Sequence, residues 1–232
     1  MIETLTGAAQ PRRNFYGRRH GKALRPTQRR HLEELLPRLA VPGVTPGGAV
    51  DPAALFPGAR EIWLEIGFGG GEHLAATAAA HPDIGLLGCE PFVNGVAMAL
   101  RQIELGGAVG NVRLHVGDAR DLVDLLPDGA LGRVYLLYPD PWPKARHRDR
   151  RFTSPENLTA LARVMAPGAE LRLATDIADY VEHSLASVAE VPAFERGAAP
   201  IDAPWPGWHR TRYEAKALTA GRRPNYLIFV RR

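Results

Sequence analysis

Short apolar runs alternate, from residue 61 onward, with stretches in which apolar residues recur every three or four positions. The apolar runs predict strands over 62–66, 85–89, 112–116, from Tyr135 up to Pro139, over 169–174 and over 226–230. The helical spacing predicts helices over 71–80, 93–105, 155–165 and 177–188. Strand followed by helix, repeated, implies a mostly parallel sheet with helices on both faces, hence an α/β fold. Upstream, Leu32, Leu35, Leu36 and Leu39 share one face of a helix expected over 28–39, with Thr27 as its cap. The Pro/Gly-rich 41–58 reads as a linker, so 27–58 forms a helix plus linker and 59–232 the main domain. Residues 1–26 carry six cations and few apolar residues. They are expected to form a flexible basic arm, with Phe15 and Tyr16 as stacking contacts.

Composition narrows the class. A chain of 232 residues with 45% hydrophobic content can fill the core of one large α/β domain. The single cysteine, Cys89, excludes an intrachain disulfide and a multi-cysteine zinc site, which suits a reducing cytosol. The first ten residues lack the apolar centre of a signal peptide, and no apolar run is long enough to span a bilayer, so a cytoplasmic protein is expected. The net charge of +4 conceals a segregation: residues 1–30, 141–152 and 209–232 hold 20 of the 29 Lys/Arg but only three of the 25 acids. Two basic tails and a basic loop around an acidic body suit a polyanionic partner, if the three segments converge. Solvated tails would give the same counts.

The densest chemistry follows the fourth predicted strand, in Tyr138-Pro139-Asp140-Pro141-Trp142-Pro143-Lys144. Three prolines stop the strand and stiffen the exit. They place Asp140 and Trp142 at a strand's C-terminal end, where open α/β sheets bind ligands. A carboxylate, an indole and five following cations suit a nucleobase with its phosphates. The same residues also fit a proline-rich turn before a solvated basic segment.

A second cluster lies at the ends of the first three strands. Glu65-Ile66-Gly67-Phe68-Gly69-Gly70-Gly71 opens a helix, and its glycines let a ligand approach the backbone. Glu72 stands where a dinucleotide site wants glycine or alanine and would repel a pyrophosphate at the helix start, which disfavours a nicotinamide cofactor. A sulfonium ligand, S-adenosylmethionine, tolerates this acidic loop. Glu65 would act on it electrostatically, Glu90 would accept its ribose hydroxyls, and Asp118 its adenine amino group. Each acid alone also reads as a helix cap or a turn residue. Asp176 ends the fifth strand and either faces the ligand edge or caps the helix after it. Thr211-Arg212-Tyr213-Glu214-Ala215-Lys216 precedes the last strand and also reads as a hairpin arm.

These motifs together resemble the tRNA (guanine-N7)-methyltransferases of the bacterial type. The resemblance covers about residues 55–232. It rests on Glu65 to Gly69, Gly88-Cys89-Glu90-Pro91, Pro139 to Lys144 with Arg146-His147 and Arg150-Arg151, Thr175-Asp176, and Thr211 to Glu214. It implies a class I methyltransferase, Rossmann-like and seven-stranded with one antiparallel edge strand. It implies S-adenosyl-L-methionine bound by Glu65, Gly67, Glu90, Asp118 and Asp140, with Asp140 also the catalytic acid. Lys144, Asp176, Thr211, Arg212, Tyr213 and Glu214 would contact the guanine of a tRNA partner, usually the variable-loop guanine called position 46. No metal is implied, and the chain would act as a monomer or a homodimer. Asp149 departs from the family pattern by interrupting the basic run. Competing readings are an amino-group methyltransferase, a non-catalytic RNA-binding module and a dehydrogenase.

Overall fold

The structure, a computed structural model, describes residues 16–232; Phe15 and the rest of the arm's first half lie outside the described residues. Seven strands form one sheet: β1 (Glu61–Ile66), β2 (Ile84–Cys89), β3 (Val112–His115), β4 (Leu131–Leu137), β5 (Met165–Thr175), β6 (Phe194–Arg196) and β7 (Asn225–Arg231), in the order β3-β2-β1-β4-β5-β7-β6. The pairs β1/β2, β1/β4, β2/β3 and β4/β5 are parallel, and β7 is antiparallel to both β5 and β6. The antiparallel strand is therefore internal, which corrects the expected antiparallel edge. The edge is β6, three residues pairing Phe194 with Arg231 and Arg196 with Phe229. So short a strand carries no periodicity, and its pairing to β7 alone defines it.

Ahead of the sheet, α1 (Pro26–Arg30) passes through a π-helical turn, His31–Leu35, into α2 (Leu36–Leu39), and α3 (Pro52–Leu55) follows. Between strands run α4 (Glu72–Ala80), α5 (Val93–Leu105), α6 (Ala119–Leu125), α7 (Pro155–Val164), α8 (Ala178–Ala189) and α9 (Arg212–Thr219). The first helix starts at Pro26, so Thr27 is not its cap. Proline's fixed φ suits the first helical position, and the Arg25 amide donates to Gln28 Oε1 at 3.0 Å. The 41–58 stretch is packed: Val41, Val50 and Phe56 are buried, and Val41 N–H donates to the Leu114 carbonyl at 2.9 Å.

Two apolar cores flank the sheet. On one face Leu64, Ile66, Leu136 and Leu171 pack against α6, α7 and α8. On the other, Trp63, Leu86 and Tyr135 pack against α4, α5 and the C-terminal Trp205 and Tyr226. Strands buried on both faces explain why β2 reads as a continuous apolar run. Strand order reverses between β1 and β4, so the chain exits beyond Ile66 and Leu137 diverge and leave a crevice at the C-terminal ends.

Candidate active site

That crevice holds a cavity of about 500 Å3, lined among others by Gly67, Gly69, Glu90, Asp118, Asp140 and Tyr213. Five of the sequence-predicted site residues, from both predicted clusters, thus meet in one space, together with Gly69. The β1–α4 turn adopts left-handed φ at Gly67 (70°), Gly69 (55°) and Gly71 (77°). A side chain on Gly71 would strike Ala99 Cβ at 2.4 Å, so this glycine lets α4 close against α5.

Glu90 lies at the floor. Its Oε2 accepts from the Gly69 amide at 2.7 Å and its Oε1 from the Phe92 amide at 2.9 Å. Burial pushes its pKa up, against the pull of those two amides. A carboxylate has about four acceptor sites, so both oxygens retain capacity toward the cavity. Asp118 caps α6, accepting from the Arg120 amide at 3.0 Å, and the Arg120 guanidinium folds back onto the same carboxylate. Both residues line the cavity. Glu65 does not. It is buried on the other side of its strand, where Oε2 accepts from His73 Nδ1 at 2.7 Å, and the His73 ring packs edge-on against Tyr135.

Asp140 is exposed at the cavity rim. The two non-glycine residues with positive φ among those described are Tyr138 (50°) and Trp142 (41°), one on each side of it. Such backbone is costly for bulky side chains and persists only where surroundings fix it. The five loop cations have different fates. Lys144 and Arg146 are exposed. Arg148 pairs with Asp179. Arg150 lies 3.9 Å above the Tyr16 ring and 5.1 Å from that of Trp142. Arg151 is fully buried. Spacing could not reveal that Arg151, alone of the five, is turned fully inward.

On the far side of Asp140 the predicted substrate residues form a braced corner. The stretch 212–219 is a helix, α9, and not a hairpin arm. Thr211 caps it, accepting from the Glu214 amide at 3.1 Å. A threonine followed three positions later by a glutamate is a helix-start signature that was available in the sequence. Glu214 is buried, with Oε2 accepting from Trp208 Nε1 at 2.7 Å and Oε1 from the Tyr226 hydroxyl at 2.8 Å. Burial first, and Glu214 next, push the Tyr138 and Tyr226 hydroxyls upward in pKa. Asp176 does not cap α8, which starts at Ala178; it accepts from Arg222 Nε. Arg212 lies 3.7 Å from both Met98 Sδ and Glu72 Oε1, and Tyr213 is exposed beside Gly69.

The arm contributes residues that sequence spacing could not place. Tyr16 and Arg18 line the cavity, and Tyr16 meets Trp142 edge-on at 6.2 Å. The arm is stapled to the start of α5: Gly21 N–H donates to Asn94 Oδ1 at 2.7 Å, and Asn94 Nδ2 donates to the Lys22 carbonyl at 2.8 Å. A second cavity, of about 470 Å3, lies behind it, lined by Lys22, Arg25 and Arg101 and by no acid. No helix among the described residues is long and apolar enough to cross a membrane.

A sequence profile for a family described as "Putative methyltransferase" matches residues 59–226. A tRNA (guanine-N(7)-)-methyltransferase of Paracoccus denitrificans (strain Pd 1222) is 54% identical over 227 residues, 96% of each chain. One of Ruegeria pomeroyi is 53% identical over 229 residues, again 96% of each. Among solved structures, the 16S rRNA methyltransferase KamB superposes with a TM-score of 0.59 at 16% identity, over 83% of this chain and 99% of its own. An antibiotic related methyltransferase gives 0.55 at 15% identity, over 82% and 98%. The solved structures share the fold; with relatives more than half identical across nearly the whole length, the chain belongs to the tRNA (guanine-N(7)-)-methyltransferase family.

Proposed function

We propose that this chain transfers a methyl group from S-adenosylmethionine to N7 of a guanine in tRNA, the variable-loop guanine called position 46. One observation carries the reading: Asp140 stands on a three-proline strut at the rim of a cavity of about 500 Å3 whose floor holds Glu90. The donor set fits the cofactor. Glu90 has acceptor capacity left for two ribose hydroxyls, and Gly67 and Gly69 let a ligand lie against the backbone. Asp118 accepts the adenine amino group in exchange for part of its Arg120 contact, which engages both carboxylate oxygens in the ligand-free protein. Glu65 acts at one remove, by holding His73 and so the start of α4. When bound, S-adenosylmethionine supplies an electrophilic methyl group.

Guanine N7 carries an in-plane lone pair, so this chain has no proton to remove from it. Its work is alignment, which can supply about 7–11 kcal/mol. Asp140 holds fixed negative charge where the guanine ring becomes cationic on methylation, favouring the transition state over the neutral base. Trp142 offers its face to the base. Asp176, just past the end of β5, exchanges Arg222 for the guanine N1 and amino edge, while Glu214 keeps Trp208 and Tyr226 in place. Lys144, Arg212 and Tyr213 flank the entry, with Thr211 fixing α9 behind them. Extracting the guanine from its stack costs a few kcal/mol, which the basic arm, loop and tail offset on phosphates.

Nucleoside mass spectrometry on unmodified tRNA incubated with the protein and cofactor tests this. A 7-methylguanosine peak that disappears when guanine 46 is replaced by adenine is expected. A methylated adenine or cytosine, or none, overturns the reading. Asp140→Asn is expected to lower kcat by about 10²–10³-fold with tRNA affinity nearly kept; equal losses in both overturn the assigned role.

A further inference from the structure

Arg151 is the one cation of the basic loop with no exposed surface, and it donates in two directions. Toward the loop, Nε donates to the Pro141 carbonyl at 2.9 Å and Nη2 to the Trp142 carbonyl at 3.5 Å. Toward α8, Nη1 donates to the Asp179 carbonyl at 3.0 Å and Nη2 to the Asp179 carboxylate. The guanidinium also lies 5.1 Å from the Tyr180 ring centre.

The two loop carbonyls belong to the two peptide units that meet at the Trp142 Cα. A guanidinium bonded to both fixes the left-handed backbone there, where φ is 41°. Pro139, Pro141 and Pro143 have no N–H with which to hold the loop themselves, so its carbonyls take on more of the anchoring. A planar, donor-only fork fulfils that need; an ammonium cannot reach all four acceptors in one geometry. Asp179 completes the anchor from the first turn of α8, where the helix end favours a carboxylate, and it also holds Arg148. The anchor therefore sets the segment carrying Asp140 against the segment carrying Asp176.

We propose that the Arg151–Asp179 pair is a positioning device for methyl transfer: it fixes the Asp140 and Trp142 loop from below and takes no part in gripping RNA. This rests on the functional reading above for its catalytic consequence, though the loop anchoring itself is independent of it. Arg151→Lys keeps the charge and loses the fork, and Asp179→Asn keeps the shape and loses the charge.

The test combines steady-state kinetics with trypsin cleavage after Lys144 and Arg146 in the ligand-free protein, read by mass spectrometry. Both variants are expected to lower kcat by about 10²-fold, as small misplacements of reacting groups do. The KM for tRNA should stay within about twofold and the salt slope of tRNA binding should be unchanged. Cleavage after Lys144 should accelerate at least tenfold. For contrast, Arg146→Gln should reduce the salt slope by about one and leave cleavage after Lys144 at the wild-type rate. Wild-type kcat and cleavage in both variants overturn the proposal. So does a salt slope lowered by about one in Arg151→Gln, which removes the charge and would make Arg151 a phosphate contact. If wild-type protein forms no 7-methylguanosine, the functional reading fails, and the cleavage rates alone still decide the anchor. If Asp179→Asn does not fold, Arg151→Lys carries the test.

Discussion

The half of the site proposed to hold the cofactor and the half proposed to hold the guanine treat their carboxylates differently. Glu90 accepts two backbone amides and keeps lone pairs facing a cavity. Glu214 has one oxygen taken by the half-buried Trp208 and the other by the buried Tyr226, and Asp176 is paired with Arg222. The first half is built by the main chain and is already formed; the second is built by side chains satisfying one another. A ligand can enter the first with little rearrangement, whereas the second must exchange partners. Backbone amides cannot leave, but an arginine at the surface can. A small flexible ligand on a rigid strand edge and a bulky base on an exchangeable corner suit those constructions.

The largest effect expected from breaking this contrast falls on Glu214. Glu214→Ala strands Trp208 Nε1 and the buried Tyr226 hydroxyl, each at a cost of about 1–3 kcal/mol. Calorimetry should record a fall in Tm of many degrees before any loss of cofactor binding; an unchanged Tm would mean the corner is not a brace. Next is Glu90→Gln, which is expected to weaken S-adenosylmethionine by about tenfold in equilibrium dialysis while leaving Tm close to wild type. A collapse of Tm instead would make Glu90 structural and erase the difference between the halves.

The same carboxylate gives a pH test. Burial raises its folded-state pKa, so between the ordinary carboxylate value and that raised value the folded protein binds the extra proton. Cofactor affinity, which needs the ionised acceptor, should decline as pH falls through the raised pKa. Stability, in contrast, should gain from this group as pH falls across the same window. Glu90→Gln should flatten both trends, and a binding profile that persists in the variant would assign the titration elsewhere.

Smaller is Asp176→Ala, whose partner Arg222 is about half exposed. With the Asp176 side chain only 14% exposed but Arg222 open to solvent, the loss of stability should be about 1 kcal/mol, with the effect seen in kcat/KM for tRNA. The smallest change is expected at the acid-free cavity behind the arm, where Arg101→Gln should lower the salt slope of tRNA binding by about one. An unchanged slope would place the RNA path elsewhere.

Some of this was legible because it is local. Apolar runs at 62–66 and 85–89 could hardly be anything but buried strands, and the glycines after β1 marked a turn where a ligand can approach the backbone. The acids at strand ends followed from where parallel strands stop. Other features were legible in principle: Pro26 announced the helix start better than Thr27, and Thr211 with Glu214 announced α9. The fate of individual charges was not legible. Lys144, Arg146, Arg148, Arg150 and Arg151 look alike in a sequence, yet one is fully buried under the loop and another stacks on Tyr16 from a segment more than 130 residues away.

The sequence by itself determined the alternation of strands and helices, the stiff proline exit carrying Asp140, and the kind of chemistry gathered at the strand ends. Those depend on spacing, on φ and on side-chain type, which are properties of neighbours along the chain. Only the tertiary structure decided that β7 inserts between β5 and β6, that Glu65 turns to His73 while Glu90 faces the cavity, and that Arg151 clamps the backbone at Trp142. Each of these depends on which distant group arrives opposite a given side chain, and a charge in a folded protein takes its role from that partner.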